Sequence, residues 1–374
     1  MLTDGINFKN FNVKAKPQLV KKKFELLIKK NNEVLKSLSK NYQNSFSKNF
    51  VSKYKKFSNF RIIGLGGSTL GSQAIYQFLF KKIKKKFVFI DNLDPSFRKN
   101  TKTKNLNLII SKSGNTIETI ANANILINKK DKNIFLTENR KSHLYLLAKK
   151  LKSEIVHHNN FIGGRYSVLS EVGMLPAELM GLNSRKFKQF NLLVKNKKFI
   201  SRLIANVSSI FLLIQKKKFN SIIINYDKES ENLFKWYQQL VAESLGKKGK
   251  GIFPIISSNT LTLVALGITL SVSICSCFSS RATFSDLNFN CSSVFFATLP
   301  VSALAIPFKN LSSKNLNSLE NSLPNCLFNA SNVVNSPPNF PSFLLVFSIS
   351  LSIFITKSCL LAEVAAFLAA SNNE

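Results

Sequence analysis

The sequence predicts an α/β protein: a doubly wound, mostly parallel sheet with flanking helices, the incomplete opening of a second unit, and a C-terminal tail that fits neither. Three observations carry this. From residue 58 onward short β-rich runs alternate with helical stretches. Two of those runs end in glycine- and hydroxyl-rich turns that lead directly into helices. The composition then changes abruptly at Ser257. Strands alternating with helices need crossover connections, and these cover a parallel sheet on both faces.

Residues 1–50 are polar, with helical spacing of Leu19, Phe24, Leu27, Ile28, Val34, Leu35 and Leu38. Strands are expected at Phe60–Leu65, Phe87–Asp91, Leu106–Ile110, Ile134–Thr137 and Glu154–His157, with helices such as Ser68–Leu79 and Thr116–Ile127 between them. A second unit begins near 160, with one long helical stretch at 188–215, a strand at Ser221–Asn225 and a helix from Glu229 to Leu245. The expected divisions are 1–50, 51–160, 161–256 and 257–374.

The net charge of +34 lies entirely in residues 1–256, because residues 257–374 hold four basic and four acidic residues. A charge this large would attract nucleic acid by counterion release. The lysines, however, are dispersed in runs such as Lys21-Lys22-Lys23 and Lys216-Lys217-Lys218, and no zinc-finger, RRM-like or homeodomain pattern accompanies them. They read as solvated helix faces, and no nucleic-acid partner is expected.

All five cysteines (Cys275, Cys277, Cys291, Cys326, Cys359) follow Ser257. An odd set without histidine partners is neither a zinc site nor a disulfide framework. The N-terminus lacks a secretory pattern, so a cytoplasmic protein is expected. In the tail, 261–278 and 342–356 are uncharged and apolar. The second falls short of the roughly 20 residues a spanning helix needs, and the first is interrupted by threonines and serines. No membrane span is expected.

Four short motifs carry chemistry. In Arg61-Ile62-Ile63-Gly64-Leu65-Gly66-Gly67-Ser68 a strand runs through glycines toward a helix, where backbone can approach a ligand and free N–H groups can meet an anion. Structural glycines at an ordinary turn would look the same. Ser111-Lys112-Ser113-Gly114-Asn115-Thr116 repeats the pattern with three hydroxyls suited to a phosphate. Its plain alternative is a helix cap with Ser113 or Asn115 as the capping residue. In Gly163-Gly164-Arg165-Tyr166-Ser167 a fixed cation could stabilise a developing oxyanion, or simply form a surface ion pair. In Glu243-Ser244-Leu245-Gly246-Lys247 a carboxylate sits at a helix end, where most such residues are merely exposed.

The first two turns together resemble the sugar isomerase (SIS) fold, and Ile110 to Thr119 is very similar to its phosphate loop. Asn160 to Ser170, followed by Gly173, closely resembles a signature of the glucose-6-phosphate isomerase family. The resemblance spans about residues 50–256 and implies interconversion of glucose 6-phosphate and fructose 6-phosphate through an enediolate, in glycolysis and gluconeogenesis. It implies that Gly67, Ser68, Ser111, Lys112, Ser113 and Thr116 hold the phosphate. It also implies that Arg165 steadies the enediolate and that Glu243 moves the proton between C1 and C2. No metal or organic cofactor is implied, and the family association is a homodimer. A non-catalytic sugar-phosphate-binding protein of SIS type is the alternative.

Past Ile256 the family's ring-opening histidine and C-terminal lysine have no counterpart; His143, His157 and His158 all precede Arg165. Turnover by this chain is therefore expected to be severely reduced or absent. An incomplete second lobe is also expected to leave apolar surface exposed around Ile222–Ile224 and Leu233–Leu240. Serine fills 23 of the last 118 positions while lysine nearly vanishes. This motivates the hypothesis that 257–374 arose from a frameshift, inversion or assembly join. Resequencing codons 250–265 should reveal the discontinuity; one intact frame, with related proteins sharing the tail, would refute it.

Overall fold

A computed structural model describes residues 10–30, 32–94, 105–127, 131–246 and 251–257. The tail, with its cysteines and both apolar stretches, lies outside the described residues, as does Lys247.

Helices α1 (Gln18–Lys30), α2 (Glu33–Ser37) and α3 (Lys48–Ser52) precede the sheet. The alternating region then runs β1 (Asn59–Ile63), α4 (Leu70–Phe78), β2 (Lys86–Ile90), β3 (Leu106–Ile110), α5 (Ile117–Leu126), β4 (Lys132–Thr137), α6 (His143–Lys150) and β5 (Glu154–His157). These five strands form one sheet in the order β2-β1-β3-β4-β5, every pairing parallel. The order reverses direction between β1 and β3, and such a switch point opens a crevice beyond the carboxyl ends of the two strands.

Alternation along the strands divides the core. Phe60, Ile62, Leu106, Leu108 and Ile110 face the larger cluster, which also takes in α1, α4 and the later helices. Ile63, Ile109 and Phe135 face a smaller cluster closed by Ala123 and Leu126 of α5 and by Leu144 and Ala148 of α6. Both faces are thus covered, which is why β3 is buried along its whole length.

After β5 come α7 (Glu171–Leu179), α8 (Phe190–Lys195), α9 (Lys197–Gln215), β6 (Asn220–Ile224), α10 (Glu231–Leu245) and β7 (Phe253–Ser257). Helix α7 contains Pro176, whose ring removes the usual hydrogen bond to the carbonyl four residues back. That carbonyl, on Val172, accepts instead from Ser72 Oγ of α4 at 3.3 Å.

Three expectations need correction. The single helical stretch 188–215 is two helices, because Asn196 is extended and its side chain caps α9 by accepting from Phe199 N–H at 3.0 Å. Neither Ser113 nor Asn115 caps α5; Thr116 holds that position and makes no side-chain cap bond. The apolar face of α10 is not exposed: Leu233, Phe234, Trp236 and Leu240 are buried, and α10 packs on α4 as well as on β7. Burying each such Leu or Phe stabilises by roughly 1.5–3 kcal/mol. On β6, Ile224 is buried while Ile222 and Ile223 are half-buried. Among the described residues, strands β6 and β7 pair in parallel as a separate two-stranded sheet.

Among the described residues, one helix, α9, is long and apolar enough to cross a membrane. Its buried face of Phe199, Leu203, Val207 and Ile210 joins the core, and the helix packs against α1.

Lys188 is buried at the junction of the N-terminal segment with the turn preceding α7. Its Nζ donates to Ser37 O at 3.2 Å and Leu169 O at 2.9 Å and sits 4.2 Å from the centre of the Tyr42 ring. Burial pushes its pKa down to about 7, against the opposing pull of Glu171. Below that value both folded and unfolded chains carry the proton and the burial penalty is fully present. Between about pH 7 and about pH 10 only the unfolded chain holds it, so this residue's contribution to stability should rise with pH. Urea unfolding across that range should show the rise, and Lys188→Met should flatten it. An unchanged slope in the variant would overturn the assignment.

Candidate functional site

The first two motifs leave the sheet at the switch point. Ile63 of β1 lies opposite Ile109 of β3, so the loops that follow emerge side by side. They also touch: a Cβ on Gly64 would stand 2.8 Å from Ile110 O. After β1 the chain turns through Gly66 at φ +55°, a left-handed conformation suited to glycine. A 3-10 turn (Gly66–Ser68) then leads into α4, and no side-chain bond caps either start.

The third motif closes on the first. A Cβ on Gly67 would lie 2.5 Å from both Arg165 N and Gly164 C, so the two backbones are in direct contact there. Gly164 itself has open space on its Cβ side. The fourth motif completes the ring from α10. Arg165 Nη1 donates to Glu243 Oε1 at 2.9 Å, and Arg165 Nε donates to Ser244 Oγ at 2.9 Å. Tyr166 shares a hydrogen bond with Ser244 and places its ring 5.1 Å from the guanidinium carbon. Trp236, fully buried in α10, donates from Nε1 to Arg165 O at 3.3 Å. The arginine is therefore held at both backbone and side chain.

Glu243 is half exposed, and its ion pair with Arg165 opens to solvent. Such pairs contribute at most about 1 kcal/mol, so a ligand carrying negative charge can displace this one. Among the described residues Glu243 Oε2 and Arg165 Nη2 make no hydrogen bond, which leaves an acceptor oxygen and a nitrogen with two N–H groups at the mouth.

In the second motif, Gly114 has φ +65°, and its Cβ position is filled by the Ser142 side chain. The hydroxyls of Ser111 and Thr116 are 2.9 Å apart and bond to each other. Ser111 Oγ also accepts from Gly114 N–H, and Ser113 Oγ from Asn115 N–H, each at 3.2 Å. Because Thr116 does not cap α5, the first-turn N–H groups of that helix have no side-chain acceptor. Lys112 is engaged elsewhere: its Nζ donates to Asn160 O at 2.7 Å and lies 3.5 Å from Glu138 Oε1. Ser68 is half-buried on the first loop.

Gln239 is missing from the sequence expectations. It stands one turn before Glu243 on the same face of α10, and its Nε2 occupies the space beside Gly66. Its Oε1 is buried without a hydrogen-bond partner. The four-residue spacing from Glu243 is the signal that could have found it. None of the histidines joins the ring: His158 is buried, its Nδ1 lies 3.0 Å from Asn159 O, and burial lowers its pKa.

The phosphoglucose isomerase family model matches residues 16–263, a span that begins well before the motif-based resemblance at 50. A glucose-6-phosphate isomerase of Methanocaldococcus jannaschii is 31% identical over 225 residues, covering 55% of this chain and 55% of that protein. One from Acholeplasma laidlawii is 33% identical over 245 residues, covering 58% and 56%. The chain thus spans about half the length of the curated relatives it matches. Among solved structures, a hypothetical protein from Thermus thermophilus aligns with TM-score 0.62 at 17% identity, covering 92% of this chain and 89% of that one. A glucose-6-phosphate isomerase from Chlamydia trachomatis aligns with TM-score 0.51 at 17% identity, covering 87% and 70%. These likenesses show the SIS-type fold, and by the family match the chain belongs to the phosphoglucose isomerase family.

Proposed function

We propose that this site is built to interconvert glucose 6-phosphate and fructose 6-phosphate by moving a proton between C1 and C2, with overall turnover severely reduced or absent in this chain. The observation that carries the reading is the Arg165–Glu243 contact of 2.9 Å, set beside the loops that leave β1 and β3. In this reading the sugar phosphate lies over the switch point. Ser68, Ser111, Ser113 and Thr116, with Gly67 N–H and the uncapped start of α5, take the phosphate; Lys112 joins only if it leaves Asn160 and Glu138.

Glu243 then takes the proton from C2 of the open-chain aldose. The C2–H electron pair becomes the C1–C2 double bond and negative charge collects on the carbonyl oxygen, where Arg165 meets it. The O2 hydroxyl proton passes to O1, which shifts the charge to O2, and return of the carbon-bound proton to C1 then gives the ketose with its carbonyl at C2. The chemistry needs a carboxylate of adjustable partnership, and an ion pair that a charged intermediate can open supplies one. Gln239, with an unpaired acceptor beside Gly66, is suited to a sugar hydroxyl. Residues 51–160 would form the first SIS-type unit and 161–256 the start of the second, in a cytoplasmic homodimer.

Proton abstraction can be read without full turnover. Fructose 6-phosphate incubated with the protein in deuterium oxide should gain deuterium at C1. Glu243→Gln should slow this exchange by about 10²- to 10⁴-fold while fructose 6-phosphate still binds. Exchange at the unaltered rate in that variant would remove Glu243 as the base, and absence of binding by the unaltered protein would remove the whole reading.

Position and chemistry can also be separated. Gly67→Ala should cost about 1–3 kcal/mol of stability, since the new methyl meets backbone on the Arg165 loop. It should weaken fructose 6-phosphate binding in proportion. Gly164→Ala, facing open space, should leave stability unchanged in the same urea titration.

A further inference from the structure

The phosphate loop and the segment carrying Arg165 are joined by one side chain. Lys112 lies on the loop after β3, and its carbonyl is fixed on the end of β4, accepting from Glu138 N–H at 3.1 Å and from Thr137 Oγ1 at 3.3 Å. From there the side chain crosses to the loop after β5, where Nζ donates to Asn160 O at 2.7 Å. Asn160 belongs to a turn closed on itself. Phe161 N–H donates to Asn159 Oδ1 at 2.9 Å, and Ile162 N–H donates to Asn159 O at 3.2 Å. Ile162 is fully buried, which anchors the turn, and Arg165 follows three residues later.

Glu138 gives this contact its meaning. It is a carboxylate beside a loop suited to phosphate, where its charge opposes an anion. Only 9% of its side chain is exposed, and a buried charge persists only with partners. Two are present: Lys112 Nζ, 3.5 Å from Oε1, and Arg140 Nε, 3.0 Å from Oε2. His158, buried with its Nδ1 3.0 Å from Asn159 O, adds no third cation near neutral pH, because burial lowers its pKa. Moving Lys112 onto a phosphate would leave Glu138 with the largely exposed Arg140 alone and would take the lysine donor from Asn160 O.

We propose that Lys112 is a positioning residue and not a phosphate ligand: Glu138 holds its ammonium on Asn160, and this strut sets the distance between the phosphate loop and Arg165. The Gly67 contact fixes the arginine segment from one side and the strut fixes it from the other. The part the strut plays in proton transfer rests on the sugar-phosphate reading of the site; the strut itself does not.

The test compares variants with the unaltered full chain, by calorimetric titration with fructose 6-phosphate and by deuterium uptake at its C1. Glu138→Gln releases Lys112 to the phosphate and removes a repelling charge. Affinity should rise about tenfold, the effect of one added charge-assisted hydrogen bond. Exchange should nevertheless slow about ten- to a hundredfold, because the loop and Arg165 are no longer held in register. Higher affinity with a lower rate is a split that general loosening does not produce. Lys112→Met should slow exchange as much while changing affinity less than about threefold, and Lys112→Arg should restore the rate in part. Adding Lys112→Met to Glu138→Gln should abolish the gain in affinity. Should Glu138→Gln fail to fold, the two lysine variants decide.

A second readout needs no sugar. Trp236, the chain's single tryptophan, donates to Arg165 O, so acrylamide quenching of its fluorescence should rise in Lys112→Met at an unchanged urea midpoint. If the unaltered chain binds no fructose 6-phosphate, the isomerase reading fails and the quenching alone decides the strut. Unchanged quenching, a tenfold loss of affinity in Lys112→Met, or unaltered affinity in a folded Glu138→Gln would overturn the proposal.

Discussion

The site depends on a backbone contact. Gly67 and the Gly164–Arg165 peptide meet so closely that no side chain fits between them. That contact joins the loop after β1 to the segment carrying the arginine. Arg165 in turn is reached from the other side by Trp236, Glu243 and Ser244 of α10. With a side chain at position 67 the two backbones would have to move apart. The sheet contributes the second constraint. Parallel neighbours β1 and β3 end at the same level, so their loops must emerge together.

These features show how a site of separate sequence motifs is assembled by few rules. Parallel pairing brings two loops to one edge; a missing Cβ lets the third approach; helical spacing presents Glu243 and Gln239 on one face. The electrostatics follow from exposure. An ion pair this open is weak enough to exchange partners, which a buried pair could not do without a large desolvation term.

Much of the first sheet was legible beforehand because each strand is a short β-branched or aromatic run bounded by turn residues, and because burial on both faces demands that pattern. Leu106–Ile110 and Glu154–His157 have the bounds read from sequence. What escaped was decided by distant contacts. Strand β7 holds a proline and is absent from the strands expected from sequence; it forms beside β6. Helix α7 tolerates Pro176 only because Ser72 takes the orphaned carbonyl. The break at Asn196 is a local signal, an asparagine cap, lost inside a continuous apolar periodicity. At the site, Arg165 and Glu243 and their convergence on one sugar phosphate follow from the family resemblance, whereas their direct 2.9 Å contact, across 78 residues, does not. The position of Gln239 beside Gly66 exists only once α10 is folded against its neighbours.

The packing of α10 on α4 has a bearing on which part of the molecule carries the site. The helix bearing the proposed base is anchored through Trp236 and Leu240 to the main core, which the five-stranded sheet shares. The small β6–β7 ribbon is joined to that helix but contributes only partly buried isoleucines besides Ile224. Among the described residues, the guanidinium and carboxylate are thus tied to the larger body and not to the ribbon.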